Sequence, residues 1–183
     1  MFANSLRFFV GTYTQGVPHS EGIYSFELEV ISGRVKQLST TGGLQNPSFM
    51  ALNPSKSHLY AVSEINSHCG KDEGSVSAFL VGDDGHLLEE VRRGTGGAGP
   101  CHIRVNANGT VLIATNYQGG SVASYPIDPQ GFLGELATFA QHEGASVDVD
   151  RQNEAHAHSS IFSADGSISY VADLGTDRIV AYK

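Results

Sequence analysis

The sequence predicts an all-β fold of the β-propeller class, in which a unit of about 50 residues with four short strands is repeated. Apolar residues recur at a period of two, and no sustained stretch places them at helical spacing. Turn residues separate these short runs. Matching points also recur, since Pro47, Pro100 and Ala155 are 53 and 55 residues apart. A β-sandwich is the competing architecture, but it does not require such a repeat.

The first two units begin the predicted repeat. Residues 6–43 form a meander of three predicted strands, at 6–13, 22–28 and 35–38, with a turn at 32–34 before the last. Residues 46–93 contain four predicted strands, at 46–52, 58–64, 75–80 and 86–91. Turn signals at 53–55 and 83–85 separate strands of this second unit.

The third and fourth units continue the repeat. Residues 99–140 open with a strand, turn at an Asn-Gly pair at 108–109, and continue with predicted strands at 111–116, 121–125 and 131–136. Residues 155–183 turn at 165–166 and reach predicted strands at 168–173 and 178–182. Because a propeller ring closes with at least about four complete blades, we expect a fragment of roughly three and a half. The open blade edges of such a fragment favour self-association.

Composition narrows the class of partner. The formal net charge of -8 disfavours nucleic acid and anionic membranes, because both require a basic surface. No apolar run approaches the roughly 20 residues that span a bilayer, and no signal peptide is evident, so we expect a cytoplasmic protein. Cys69 and Cys101 cannot form a disulfide framework and are predicted to be buried or idle thiols. An anionic ligand would have to be held by few, local positive groups.

Two histidines of the fourth unit carry the strongest chemical signal. His156 and His158 are two residues apart, and residues i and i+2 of a strand point to one face, so their imidazoles are expected to converge. Catalysis or substrate binding, a metal site and a structural role remain open. A metal site needs a third ligand, which Asp173 could supply. With a usual pKa of about 6.5, a histidine suits general-base catalysis at neutral pH.

The third unit contributes a further histidine and arginine. His102 is expected to be the equivalent of His158 in the preceding blade, and both should lie at the mouth of the channel that innermost strands line. Arg104 is two residues further on and could hold an anion, although a structural histidine and a solvated arginine are the alternatives. Arg151, before His156, could bind phosphate or carboxylate through paired hydrogen bonds.

Polar residues also stand where three equivalent predicted strands end. Glu64, Asn116 and Asp173 are consistent with a ring of polar groups around one channel mouth. The alternative is turn chemistry, because Asn and Asp stabilise strand ends by bonding to nearby backbone. The Gly-x-Gly-x-x-Gly pattern at 94–99 is followed by Pro100 and a strand rather than a helix, which argues against a dinucleotide site. No Gly-x-Ser-x-Gly motif supports a serine nucleophile.

Six motifs occur in order along the chain: Phe-Val-Gly-Thr-Tyr-Thr at 9–14, Asn-Pro-Ser-Phe at 46–49, Leu-Tyr-Ala-Val-Ser-Glu at 59–64, Gly-Pro-Cys-His at 99–102, Ala-Thr-Asn-Tyr-Gln-Gly-Gly-Ser-Val at 114–122, and Arg-Gln at 151–152 with His-Ala-His at 156–158. Together they resemble the lactonase family of seven-bladed propellers, which is typified by propeller-type 6-phosphogluconolactonases and includes fungal carboxymuconate-lactonising enzymes. The resemblance implies that the later blades, about half of the family's domain, are missing. Those blades carry a second Gly-Pro-x-His-like element and an Asn-Glu-Leu-like element, thought to contribute an arginine and a glutamate.

The resemblance implies hydrolysis of a sugar δ-lactone, most directly 6-phosphoglucono-δ-lactone to 6-phosphogluconate in the pentose phosphate pathway, without a cofactor. His158 aligns with the family's proposed catalytic histidine. The expected catalytic residues are His158, His102 and Glu64, and the expected substrate-binding residues are Arg151, Arg104, His156, Asn116 and Asp173. Two alternatives remain: a cycloisomerase that forms a lactone from a carboxymuconate-like diacid, and a noncatalytic propeller fragment that acts as an interaction module.

Overall fold

The computed structural model describes residues 5–16 and 20–183, and within them the regular secondary structure is entirely β-strand. No helix in these ranges could cross a membrane. The strands are β1 (Ser5–Val10), β2 (Ile23–Glu29), β3 (Val35–Thr41), β4 (Met50–Leu52), β5 (His58–Ser63), β6 (Ser75–Val81), β7 (Leu87–Gly94), β8 (Pro100–Val105), β9 (Val111–Asn116), β10 (Ser121–Pro126), β11 (Thr138–Gln141), β12 (Ala157–Phe162), β13 (Ser169–Asp173) and β14 (Arg178–Tyr182).

The strands form four separate antiparallel sheets, which we call blades one to four in chain order. Blades two and three have four strands each, in the orders β4-β5-β6-β7 and β8-β9-β10-β11, and blades one and four have three. Every hydrogen-bonded neighbour is also the next strand in sequence, so each sheet is a meander. This is the arrangement of propeller blades, and the predicted fold class is confirmed.

The blades stack face to face because their central strands are apolar on both sides. In β5, Leu59 and Ala61 pack towards blade one, while Tyr60 and Val62 pack towards blade three. A third cluster joins blade three to blade four through residues that include Ile113, Val122, Ala157 and Val171. Successive side chains of a strand point to opposite faces, so one strand contributes to two of these interfaces. The core is therefore a series of layers between blades.

One predicted strand is wrong. Residues 131–136 form a compact loop, and the fourth strand of blade three is β11. The cause is the Asp128 side chain, whose Oδ1 accepts hydrogen bonds from the backbone N–H groups of Gln130, Gly131 and Phe132 at 2.8–2.9 Å. Gly131 has a φ of 104°, a value that residues with a side chain rarely adopt. A Cβ at this position would lie 2.3 Å from the His58 ring. The only β-type pairing made by residues 131–136 is an isolated bridge between Leu133 and Ile127.

The two end blades each expose an apolar face. On blade one the outward residues of β1 pair with those of β2, and the Phe8 and Phe26 rings stack with their centroids 5.2 Å apart. On blade four Ile179 retains 74 % of its surface and Ile161 retains 58 %. Leu6 on blade one retains 55 %. Large apolar surfaces of this kind are typical of association sites.

We therefore expect the 183-residue chain to self-associate through these faces. Sedimentation over rising concentrations should show species larger than the 19.4 kDa monomer, and the combined substitutions Phe8→Glu and Ile179→Glu should return the chain towards a monomer, because a charge on each face opposes its burial. Leu88→Glu is the matched control, since Leu88 is 65 % exposed on a middle blade. A monomer at every concentration would contradict this expectation.

Candidate active site

The first strands of blades two, three and four lie side by side, as the strands that line a propeller channel should. β8 contacts both β4 and β12. The loops that follow β5, β9 and β13 lie beside the beginnings of these first strands, as the bonds from Glu64 N to Asn46 O and from Tyr117 N to Gly99 O show. The predicted site residues are therefore gathered mainly at one end of the channel, which we call the mouth.

A β-bulge sets which residue the first strands of blades three and four present at the mouth. In blade three Pro100 pairs with Asn116 and His102 pairs with Thr115, so Cys101 is the extra residue. In blade four Ala157 pairs with Asp173 and Ser159 with Ala172, which makes His158 the extra residue. The expected equivalence of His102 and His158 is therefore wrong by one position. The equivalent of His158 is Cys101.

Glu64 lies at the mouth and is bound by two hydroxyl groups. Tyr13 donates to its Oε2 at 2.8 Å, and the Ser48 hydroxyl donates to the same oxygen. The hydrogen bond to Glu64, followed by burial and the negative charge of Glu64, raises the pKa of Tyr13, so the phenol stays protonated and continues to donate. Tyr13 and Ser48 were not predicted as site residues.

Glu64 is not the equivalent of Asn116 and Asp173, as the sequence suggested. Pairing of Ser63 with Ser75, of Asn116 with Ser121 and of Asp173 with Arg178 makes Ser63 their counterpart, and Glu64 follows one residue later, like Tyr117. Asn116 is completely buried. Its amide donates to Thr95 O at 3.2 Å and to Ser121 Oγ at 3.0 Å. Asn116 therefore lies beneath the mouth and holds the adjacent loop.

His102 is neutral at pH 7. Burial, assisted by the nearby charges of Arg104 and His158, lowers its pKa to about 4. Its ring lies against Phe49, with centroids 4.3 Å apart, and its Nδ1 accepts a hydrogen bond from Ser160 N at 3.4 Å. With Nδ1 as acceptor, the proton of the neutral ring is on Nε2. His102 can thus donate a hydrogen bond to a carbonyl but cannot attract an anion by charge, while the exposed Arg104 can.

The two cysteines are free. Cys69 is exposed, whereas Cys101 is partly buried. Burial, assisted by the charge of Glu64, raises the pKa of Cys101 to about 11, so it is a thiol at neutral pH. Its Sγ donates to the backbone carbonyl of His158 at 3.2 Å. Cys101 therefore ties the bulges of blades three and four together and does not supply a thiolate nucleophile.

Tyr117 joins the predicted residues of the fourth unit. Its ring stacks on His156 at a centroid distance of 4.5 Å and meets His158 edge-on at 5.5 Å. His156 is buried, and its Nδ1 donates to Tyr117 O at 2.9 Å. Arg151 donates to the Tyr117 hydroxyl at 3.3 Å. His158 and Arg151 are exposed, so Tyr117 holds two accessible functional groups on one side of the mouth.

Asp173 is buried beneath this group. Burial acts to raise the pKa of its carboxyl, but hydrogen bonds from His156 N, Thr176 N and the His142 side chain outweigh burial, and the net pKa is lowered. These bonds measure 3.0, 2.9 and 2.5 Å. Asp173 therefore holds His156, Thr176 and His142 in place from beneath the mouth. His156 has a similar structural role, because its Nδ1 is bonded to Tyr117 O. Among the described residues, no group of three or more His, Cys, Asp or Glu side chains is arranged to hold a metal ion.

The sequence also missed Tyr117 and His142 as parts of the site. Tyr117 could have been found, because it directly follows a repeated strand, as Glu64 does. His142 directly follows β11 as Thr95 follows β7, but its contacts with Asp173 and Tyr182 arise only in the fold.

The family is decided by comparison with known sequences. Residues 7–183 match the model of the family described as lactonase, 7-bladed beta-propeller. The chain belongs to this lactonase family. Two curated relatives, from Formosa agariphila and Bacillus subtilis, are both named 6-phosphogluconolactonase and are 30 % identical to it over 178 and 176 residues. These matches cover 96 % of the chain but only 49 % and 48 % of the relatives.

Solved structures agree with the lactonase assignment. A Bacteroides fragilis protein superposes with a TM-score of 0.89 at 31 % identity, over 98 % of this chain and 48 % of that protein. The periplasmic gluconolactonase of Pseudomonas aeruginosa superposes with a TM-score of 0.87 at 28 % identity, over 98 % of this chain and 50 % of that enzyme. The chain thus spans about half the length of the lactonases that it matches.

The environment of His102 predicts an unusual titration. Its ring resonances in NMR spectra should stay constant from about pH 8 to about pH 5.5 and change around pH 4, the pKa that burial imposes. Because the unfolded ring titrates at about 6.5, the unfolded state binds more protons between these values, and this contribution to stability decreases as the pH falls from about 6.5 to about 4. Phe49→Ala should raise the pKa by admitting water. An unmodified chain whose His102 titrates near its usual value would refute this.

Proposed function

We propose that this protein hydrolyses a sugar δ-lactone, and that the substrate is 6-phosphoglucono-δ-lactone, which gives 6-phosphogluconate in the pentose phosphate pathway. The observation that carries the proposal is the exposed imidazole of His158, held edge-on by Tyr117, whose hydroxyl is bonded by Arg151. This arrangement supports a general base and an anion ligand on one side of the mouth. The names of the two curated relatives support the same substrate.

The chemistry requires one base and one donor. In the proposed step, His158 takes a proton from water as the water oxygen bonds to the lactone carbonyl carbon. The carbonyl oxygen becomes an oxyanion, which the Nε2–H of His102 can stabilise. The bond between the carbonyl carbon and the ring oxygen then breaks, and the ring oxygen takes the proton from His158. A neutral His102 suits this donor role.

Arg151 is the proposed phosphate ligand. Its hydrogen-bond partner in the structure is the Tyr117 hydroxyl rather than a carboxylate, and this hydrogen bond raises the pKa of its guanidinium further above its usual value. Its positive charge is therefore available to a ligand. Arg104 is the second candidate, because it is exposed beside His102. Glu64, held by Tyr13 and Ser48, is proposed to contact the sugar hydroxyls from the opposite side of the described mouth.

A second candidate function is a noncatalytic propeller module, because the chain spans about half the length of its relatives. A carboxymuconate-type cycloisomerase is the third. Lactone hydrolysis and lactone formation from a carboxymuconate, assayed separately on the protein at its natural length, distinguish the three. We also propose a cytoplasmic location, which cell fractionation tests.

His158→Ala should lower kcat/KM for the lactone by roughly 10²–10⁴-fold, because the general base is removed. His86→Ala is the matched control: His86 is an exposed histidine paired with Asp84 in a turn of blade two, away from the mouth. The assay follows acid release from 6-phosphoglucono-δ-lactone, corrected for spontaneous opening. Equal rates for the parent and His158→Ala would remove His158 from the mechanism.

Arg151→Gln should separate phosphorylated from unphosphorylated substrates. Loss of a charged hydrogen bond to phosphate should raise KM for 6-phosphoglucono-δ-lactone roughly 10- to 100-fold and leave KM for glucono-δ-lactone unchanged. Arg34→Gln, at an exposed arginine in the turn between β2 and β3, controls for loss of charge alone. A similar change for both substrates would show that Arg151 does not bind the phosphate.

A further inference from the structure

A buried hydrogen-bonded chain runs beneath His158 and Arg151. His142 follows β11 directly and starts the loop that leads to Arg151 and β12. Its Nδ1 lies 2.5 Å from Asp173 Oδ2, and its Nε2 lies 2.5 Å from the Tyr182 hydroxyl. The His142 and Asp173 side chains are 5 % and 0 % exposed. Three polar side chains from two blades are therefore linked in the interior.

The hydrogen bonds among His142, Asp173 and Tyr182 all run in one direction. Hydrogen bonds keep Asp173 ionised, so its oxygen accepts and His142 Nδ1–H donates. Burial and the charge of Asp173 raise the pKa of Tyr182, so its hydroxyl is protonated and donates to His142 Nε2. Each group thus has one role and one orientation, which fixes the rotamer and the tautomer of His142.

The interface between blades two and three lacks this hydrogen-bonded network, although it has an equivalent tyrosine. Tyr125 of β10 pairs with Leu112 as Tyr182 pairs with Ser169, which makes the two tyrosines equivalent. Tyr125 donates to a backbone carbonyl, that of Gly94, at 2.6 Å. The position of His142 is held there by Thr95, whose backbone carbonyl accepts a hydrogen bond from Asn116. An imidazole in this position therefore distinguishes the interface that carries the candidate base.

The buried hydrogen-bonded network leads, through Asp173, to the residues that hold the candidate base. Asp173 Oδ1 accepts from His156 N at 3.0 Å. His156 in turn stacks on Tyr117 and donates to its carbonyl, and Tyr117 contacts both His158 and Arg151. A displacement of Asp173 would therefore be transmitted to His158 through two aromatic contacts.

We propose that His142, Asp173 and Tyr182 are positioning residues, which hold Tyr117 and His156 so that His158 is correctly oriented towards the lactone. The proposal rests on the proposed function, because it assigns His158 to the reaction. None of the three residues touches the substrate. Their effect should appear in kcat, since a base displaced by a fraction of an ångström still allows binding.

The test compares Tyr182→Phe with Tyr125→Phe in the protein at its natural length. Both substitutions remove one hydroxyl and one hydrogen bond from equivalent blade interfaces, so a purely structural effect should be similar in both. We expect Tyr182→Phe to lower kcat for 6-phosphoglucono-δ-lactone about tenfold with little change in KM, as loss of a supporting partner does elsewhere. Tyr125→Phe should leave kcat unchanged. His142→Gln should have a larger effect than Tyr182→Phe.

A second measurement does not depend on activity. The His158 ring lies within the ring-current field of Tyr117, so NMR should show its resonances shift in Tyr182→Phe and His142→Gln but not in Tyr125→Phe. Unchanged His158 resonances in a folded Tyr182→Phe protein would overturn the proposal, and so would shifted resonances with an unchanged kcat. If the parent enzyme does not hydrolyse lactones, the proposed function fails, and the NMR comparison alone decides whether the chain orients His158.

Discussion

The central strands of a blade must pack against two neighbours at once, and the rest of the structure depends on this two-sided burial. In β5 and β9 alternate residues enter different interfaces, so Tyr60 and Leu112 meet in one layer while Leu59 and Ile113 lie in two others. The mouth residues inherit their positions from these layers, because each blade can rotate little without opening an interface. The same constraint explains the end blades, whose outward faces have the apolar character of an interface and remain exposed.

The repeat could be predicted because the sequence itself shows both the spacing of the units and the period of two in apolar residues. Pro47 and Pro100 lie in comparable positions at the starts of two first strands, and the predicted strand at 58–64 differs from β5 by a single residue. The bulges could not be predicted in this way. A bulge places two residues opposite one, so it changes which side chain reaches the mouth without changing composition or spacing. The sequence pattern therefore predicts His102 as the counterpart of His158, whereas the strand register makes it Cys101.

Other parts of the site depend on contacts between distant residues. His142 and Asp173 are 31 positions apart, and the imidazole meets the carboxylate only because blades three and four stack. Asn116 resembles a mouth residue because it ends a strand, yet it is buried and its side-chain NH2 group donates to Thr95 O and Ser121 Oγ. Local turn chemistry also overrode the alternation at 131–136, where three backbone N–H groups bind the Asp128 carboxylate. In each case the residue type suggested a role, but the contacts made in the fold determined the role.

In the proposed function, charged residues at the mouth select the substrate. The protein is acidic overall, with a formal net charge of -8, so an anionic substrate is repelled at long range and must be attracted locally. Within the described part of the chain, neither Arg104 nor Arg151 is paired with a carboxylate. His102, by contrast, is held neutral by its burial beside Arg104. In the proposed function, the described half of the mouth therefore divides two tasks: the arginines bind an anion, while the neutral imidazole of His102 donates its N–H to a carbonyl. A protonated His102 could not make that distinction, because it would attract phosphate and carbonyl alike.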